Sequence, residues 1–83
     1  MKDLTGFIAL DEKGNLGVIT HVDEMNRSYL GFRIDDYTRD NYTAKFKYPW
    51  ESKKPHVVDS INGLKAKAEN SLIAFGKDGK DVV

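Results

Sequence analysis

The stretch "TGFIALDEKGNLGVITHV", residues 5–22, decides how this chain is read. Its first part, "TGFIAL" (5–10), is short, apolar and partly β-branched, and "LGVITHV" (16–22) is apolar again. Between them "DEKGN" (11–15) collects turn-forming residues, with Gly14 able to take positive φ. Two such runs around a glycine-bearing turn predict an antiparallel hairpin. Strict alternation along the second run puts Leu16, Val18, Thr20 and Val22 on one face and Gly17, Ile19 and His21 on the other. A glycine inside a strand has no side chain to pack, so Gly17 marks a bulge, a bend or a close backbone approach.

The same grammar continues outward. "DEMNR" (23–27) is a turn, "SYLGFRID" (28–35) a third strand with an internal Gly31, and "DYTRDN" (36–41) a polar turn. "YTAKFKY" (42–48) alternates Tyr42, Ala44, Phe46 and Tyr48 against Thr43, Lys45 and Lys47, which predicts a fourth strand. Pro49 and Pro55 are then expected to break regular pairing. In the last third, "DSINGLKAKAEN" (59–70) carries a capping Asp59 or Ser60 and Ile61, Leu64 and Ala68 at helical spacing, which predicts a short helix or helical turn. "SLIAF" (71–75) extends that element or forms a last strand, and "GKDGKDVV" (76–83) reads as a tight turn or a tail. Short strands with turn clusters at 11–15, 23–27 and 36–41 predict a mainly β fold, a small SH3-like barrel with a short helix or irregular segment in the C-terminal third. At 83 residues the expectation is a single domain, its strand-rich core over 5–58 and a helical turn and tail over 59–83.

Charge and composition narrow the function classes. Thirteen basic and thirteen acidic side chains cancel, unlike the net positive charge of a general polyanion binder. Residues 1–41 hold five basic and eight acidic side chains, a net of −3, and residues 42–83 hold eight and five, a net of +3. The chain has no cysteine, which fits a reducing cytosol better than a small secreted domain. "MKDLTGFIALDEKG" lacks the apolar run of a signal peptide, and no stretch approaches the length of a membrane span.

"KFKYPWESKKP" (45–55) is the most suggestive segment for binding. Phe46, Tyr48 and Trp50 could stack on bases while Lys45, Lys47, Lys53 and Lys54 neutralise phosphates. The plainer reading is preferred: the aromatics are core, because a chain this small needs most of its nine aromatics there, and the lysines keep the strand soluble. Trp50 reads as a lid over one end of the fold rather than as a hot spot. Tyr37 and Tyr42, beside a polar loop, are the better candidates for exposed aromatics. The residues singled out for binding are therefore Lys45, Lys47, Trp50, Lys53, Lys54, Tyr37 and Tyr42.

Chemistry finds less support. His21 and His56 are the only histidines and have no metal-binding spacing, so no metal site is expected. Thr20 precedes His21, and adjacent strand residues point to opposite faces, which argues against a nucleophile–base pair. The acidic pairs Asp11–Glu12, Asp23–Glu24 and Asp35–Asp36 read as solvated turn residues, with an acidic patch from at most two pairs as the functional alternative. "GKDGK" (76–80) lacks the spacing of a phosphate loop. No catalytic residues and no cofactor are expected, and the chain is read as not an enzyme.

Gly6, Gly14, Gly17, Tyr29, Gly31, Trp50, Ser52 and Pro55 together give a glycine-rich hairpin, a Tyr-x-Gly strand and a Trp-x-Ser-x-x-Pro segment. That order, over residues 5–58, resembles a pattern in small uncharacterised bacteriophage proteins, and the first hairpin is similar to the start of KOW-type SH3-like barrels. The resemblance implies a protein made in a bacterial host cytoplasm and brings no active site with it. The resulting expectation is a non-enzymatic, phage-encoded binding module that engages or inhibits a host or defence protein. The alternative is a nucleic-acid-binding barrel using segment 45–55.

Overall fold

The structure, a computed structural model of the chain, describes residues 1–61 and 65–68, with Lys47 and 65–68 described by their backbone alone. It is mainly β. Six strands follow in order: β1 (Phe7–Leu10), β2 (Leu16–Asp23), β3 (Ser28–Thr38), β4 (Thr43–Ser52), β5 (His56–Ser60) and β6 (Lys65–Ala68). They form one sheet in the order β5-β1-β2-β3-β4-β6. Neighbours are antiparallel except β4 and β6, which run parallel from Thr43↔Lys65 to Phe46↔Ala68. The expected small barrel takes an open form, since β5 and β6 are the two edges and do not pair with each other.

The turns form where local chemistry demands. Asp11 Oδ1 accepts the amides of Lys13 (2.9 Å) and Asn15 (2.7 Å), and Gly14 takes φ 85°. Burial alone would raise the Asp11 carboxyl, but the donors from Asn15 and Lys13 outweigh it and hold it below the usual range. The second turn uses Asp23, whose carboxylate accepts the Asn26 amide (3.2 Å) and side chain (2.8 Å). Asp11 and Asp23 thus serve their own loops.

Four register irregularities shape the sheet. Ile19 pairs with Gly31 but His21 with Leu30, so Thr20 is an extra residue in β2. Ile34 pairs with Phe46 but Phe32 with Pro49, so β4 gains a residue between them. Asp35 is extra in β3 and Val58 in β5. Each bulge bends its strand and reverses the inward–outward alternation beyond it.

The consequence is a core on both faces of one sheet. Ile8, Val18, Ile34, Ala44, Phe46 and Ile61 are buried together, with Leu16, Phe32 and Tyr37 packed against them. Ala9, Ile19, Tyr29 and Trp50 form a second cluster, with Leu4 and Val22. Ile8 and Ala9 are consecutive, as are Val18 and Ile19, so both faces of β1 and β2 are covered here. Trp50 lies across Gly17, where an added Cβ would stand 2.4 Å from the indole Cγ. An added Cβ at Gly31 would meet the Val18 carbonyl oxygen at 1.7 Å. The two strand glycines are therefore close-approach positions, as their place in the sequence predicts.

Several expectations change. Val22 lies in the Ile19 cluster rather than with Val18, because the Thr20 bulge intervenes. Tyr48 is half exposed while Phe46 is fully buried, because the β4 bulge separates them. Asp35 and Asp36 lie within β3, and the polar turn is displaced to 39–42, where Tyr42 takes φ 49°. Pro49 does not end β4. Among the described residues the β4–β6 ladder reaches Phe46, and the missing N–H of Pro49 removes no bond from that part of it. Within 59–70 the described residues are strand at 59–60, the end of β5, and at 65–68, since ladder pairing on β1 and β4 overrides the helical spacing there; 62–64 and 69–70 lie outside the described residues. The readings of 71–75 and 76–83 lie outside the described residues.

Candidate functional site

The lysines singled out in the sequence lie along β4 and in the turn after it. Lys45 is exposed on β4, paired across the ladders with Asp36 and Lys67. Lys53 and Lys54 are exposed in the turn after β4. At about 3.3 Å per strand residue they stand on the order of 25 Å from Lys45 along the chain. Lys47 belongs to the same strand by its backbone. The structure brings together Lys53 and Lys54, and they surround a carboxylate. Glu12 Oε1 accepts Ser52 Oγ (2.9 Å), the Lys53 amide (2.9 Å) and the Lys54 amide (2.6 Å). The bond from its own backbone amide, then those from Lys54 and Ser52, hold the Glu12 carboxyl down at about 2. This clasp ties the β1–β2 turn to the β4–β5 turn, forty residues on.

The aromatic candidates separate as well. Trp50 is buried, as expected, and its Nε1 donates to the Asn15 carbonyl at 3.0 Å. Tyr42 is exposed at 44%. Tyr37 is not, contrary to expectation: it packs on the first cluster. Its hydroxyl is buried without a hydrogen bond of ordinary geometry among the described residues, and burial, then the Asp59 charge, pushes it up from its ordinary value. Asp59 meanwhile pairs with Arg39 at 3.5 Å.

What the sequence did not single out is a groove. Leu30, Phe32 and Pro49, with Thr20, His21, Gly31, Glu51 and the Trp50 singled out in the sequence, line a depression of ≈ 550 Å³. Leu30 pairs across the sheet with His21 and with Glu51, which places all three on one face. The Thr20 bulge also reverses the argument made from alternation: Thr20 Oγ1 and His21 Nδ1 are 2.7 Å apart, on the same side of the strand. Among the described residues no three His, Asp or Glu side chains gather as a metal site requires. Gly31, between two half-buried apolar residues, was the available sequence signal for this groove, since a glycine there lets the strands approach and leaves Leu30 and Phe32 on a shared, unfilled face.

No family model, curated protein or solved structure matches the chain. Among the described residues no helix is long and apolar enough to cross a membrane.

Proposed function

We propose that the chain is a non-enzymatic protein-binding module, phage-encoded and working in a bacterial cytoplasm, that engages or inhibits a host or defence protein. The observation that carries the reading is the half-open groove on the β2–β3–β4 face. There Leu30, Phe32 and Pro49 keep access to solvent in a chain that spends most of its other large side chains on two cores. Apolar surface held in a concave site, with a few polar groups at its margin, is what a protein or peptide side chain needs to dock. The lysines are spread along β4 and the turn after it, about 25 Å of chain, which favours this over a compact nucleic-acid surface. The phage setting rests on the hairpin and Trp-x-Ser-x-x-Pro resemblance, and the cytoplasmic setting on the absence of cysteine.

The test is capture from bacterial lysate with and without nuclease, followed by a salt titration of the captured complex. The expected result is capture that survives nuclease and weakens shallowly with salt. Capture lost to nuclease, with log affinity falling by about 0.7 per phosphate contact against log salt, would overturn the reading in favour of nucleic acid.

A further inference from the structure

The clasp between the two turns has the make-up of an anion site. Ser52 is buried at the end of β4, which holds its hydroxyl and the two amides that follow it in place. Ser52 Oγ and the amides of Lys53 and Lys54 converge on a single oxygen, Glu12 Oε1, at 2.9, 2.9 and 2.6 Å. Consecutive amides aimed at one point form a concavity for an anion, and here a carboxylate fills it. Glu12 is exposed, and with Glu51, Ser52, Lys53 and Lys54 it lines a depression of ≈ 430 Å³. The three bonds come from a hydroxyl and two backbone amides, so none of them draws on a lysine ammonium. Nor does Glu12 shape its own turn. Asp11 does that, accepting the Lys13 and Asn15 amides on its side chain and the Gly14 amide on its carbonyl at 3.0 Å. The Glu12 carboxylate can therefore leave the clasp while the turn keeps these bonds.

We propose that the Ser52–Lys54 segment is a site for a terminal phosphate, free or as a monoester, which Glu12 closes in the resting chain and which opens when the phosphate displaces it. A carboxylate from elsewhere offers the donors nothing that Glu12 does not. Glu12, being tethered, competes as though present at a concentration on the order of millimolar or above. An anion that displaces it needs more charge and more acceptor oxygens. A phosphate monoester has both, with about −1.5 to −2 charges at neutral pH and three strong acceptor oxygens. One oxygen takes the place of Glu12 Oε1, and the others meet the ammonium groups of Lys53 and Lys54 at the rim. Glu51 opposes them, so with Glu12 out two lysines face one carboxylate. That balance suits a single phosphate group and not a chain of diesters, whose further phosphates would meet Glu51 and the displaced Glu12. The site is separate from the protein-binding reading of the groove, although Glu51 lines both depressions.

The experiment uses the intact, isotope-labelled chain and follows the amide resonances of Lys53 and Lys54 at about pH 7.5, above the second phosphate pKa. Inorganic phosphate, a short phosphoserine peptide and a nucleoside monophosphate are titrated in turn, with acetate and oligothymidylate as controls. Both amides are expected to shift saturably with the phosphates, and acetate to need at least about tenfold more. The tightest of the three phosphate probes identifies the source. Glu12→Ala removes the tethered competitor and is expected to lower the phosphate midpoint about tenfold or more. Replacing Lys53 and Lys54 together by glutamine is expected to raise it by about the same factor. Glu12→Gln keeps an acceptor and gives up the charge, so its midpoint falls between those of the wild type and Glu12→Ala. It carries the comparison if Trp50 emission shows that Glu12→Ala does not fold. Amides that do not move, acetate as effective as phosphate, midpoints that the Glu12 variants leave unchanged or raise, or oligothymidylate binding tighter than the monophosphates would each overturn the proposal.

Discussion

Replacing Phe46 and Tyr48 by alanine, two residues apart on one strand, should give opposite results. Phe46 is fully buried and Tyr48 is 50% exposed. An aromatic side chain buries about 150–250 Å², which at about 25 cal/mol per Å² is about 4–6 kcal/mol. Allowing for a denatured chain that already shields part of this surface leaves about 3–5 kcal/mol for Phe46→Ala, the usual range for such truncations. A chain of this length holds on the order of 4–12 kcal/mol in total, so much of the margin would be gone. Tyr48→Ala should cost less than about 1 kcal/mol. The assay is equilibrium urea unfolding followed by Trp50, the sole tryptophan, whose burial makes its emission a reporter of the fold. With a slope near 1 kcal/mol/M, Phe46→Ala should lower the midpoint by about 3 M or more. Were Tyr48→Ala the costlier change, or the two costs equal, the extra residue between Phe46 and Pro49 would be absent and the face assignments beyond it wrong.

Gly31→Ala should cost about 3 kcal/mol or more, because its Cβ would overlap the Val18 carbonyl, whereas Gly14→Ala, which meets no atom but has φ 85°, should cost about 1–2 kcal/mol; urea midpoints decide both. Glu12→Gln should destabilise the protein at neutral pH. Because the folded carboxyl sits at about 2 against an ordinary 4.5, the clasp stabilises fully above 4.5 and is lost as pH falls through about 2, so the gap between wild type and variant should close over that interval in thermal melts. A gap that widens on acidification would exclude the clasp. Tyr37→Phe removes a buried hydroxyl that closes no bond and should leave stability within about 0.5 kcal/mol or raise it; a loss above about 1 kcal/mol would reveal a bond to Asp59.

Turns were legible in the sequence because their chemistry is local: Asp11 and Gly14, or Asp23 and Asn26, carry the bonds and the dihedrals within a few residues. The close approaches at Gly17 and Gly31 were legible for the same reason, a missing side chain being visible in the sequence itself. Bulges were not, because one inserted residue leaves no mark in composition. Every misread face follows from one: Val22 and the Thr20–His21 pair from the β2 bulge, Tyr48 from the β4 bulge. The groove was lost with them, since Leu30, His21 and Glu51 come from three strands and meet only through the shifted register. The described parts of 59–70 were misread because helical spacing is a weak local preference, and pairing with distant β1 and β4 outweighs it.

A sheet with apolar residues on both faces gives up the usual safeguard of strand pairing. In a one-sided sheet, slipping a strand by one residue throws its greasy side chains into water, and that penalty fixes the alignment. Here Ile8 and Ala9, or Val18 and Ile19, could exchange sides and remain covered. Alignment must instead be enforced by shape. Trp50 needs a flat floor, and the floor is Gly17; a one-residue slip would bring the branched side chain of Leu16 or Val18 beneath the indole and break its bond to Asn15. The tryptophan–glycine contact thus works as a key in a keyway, admitting one alignment of β2 and β4 by steric exclusion where polarity alone would tolerate two.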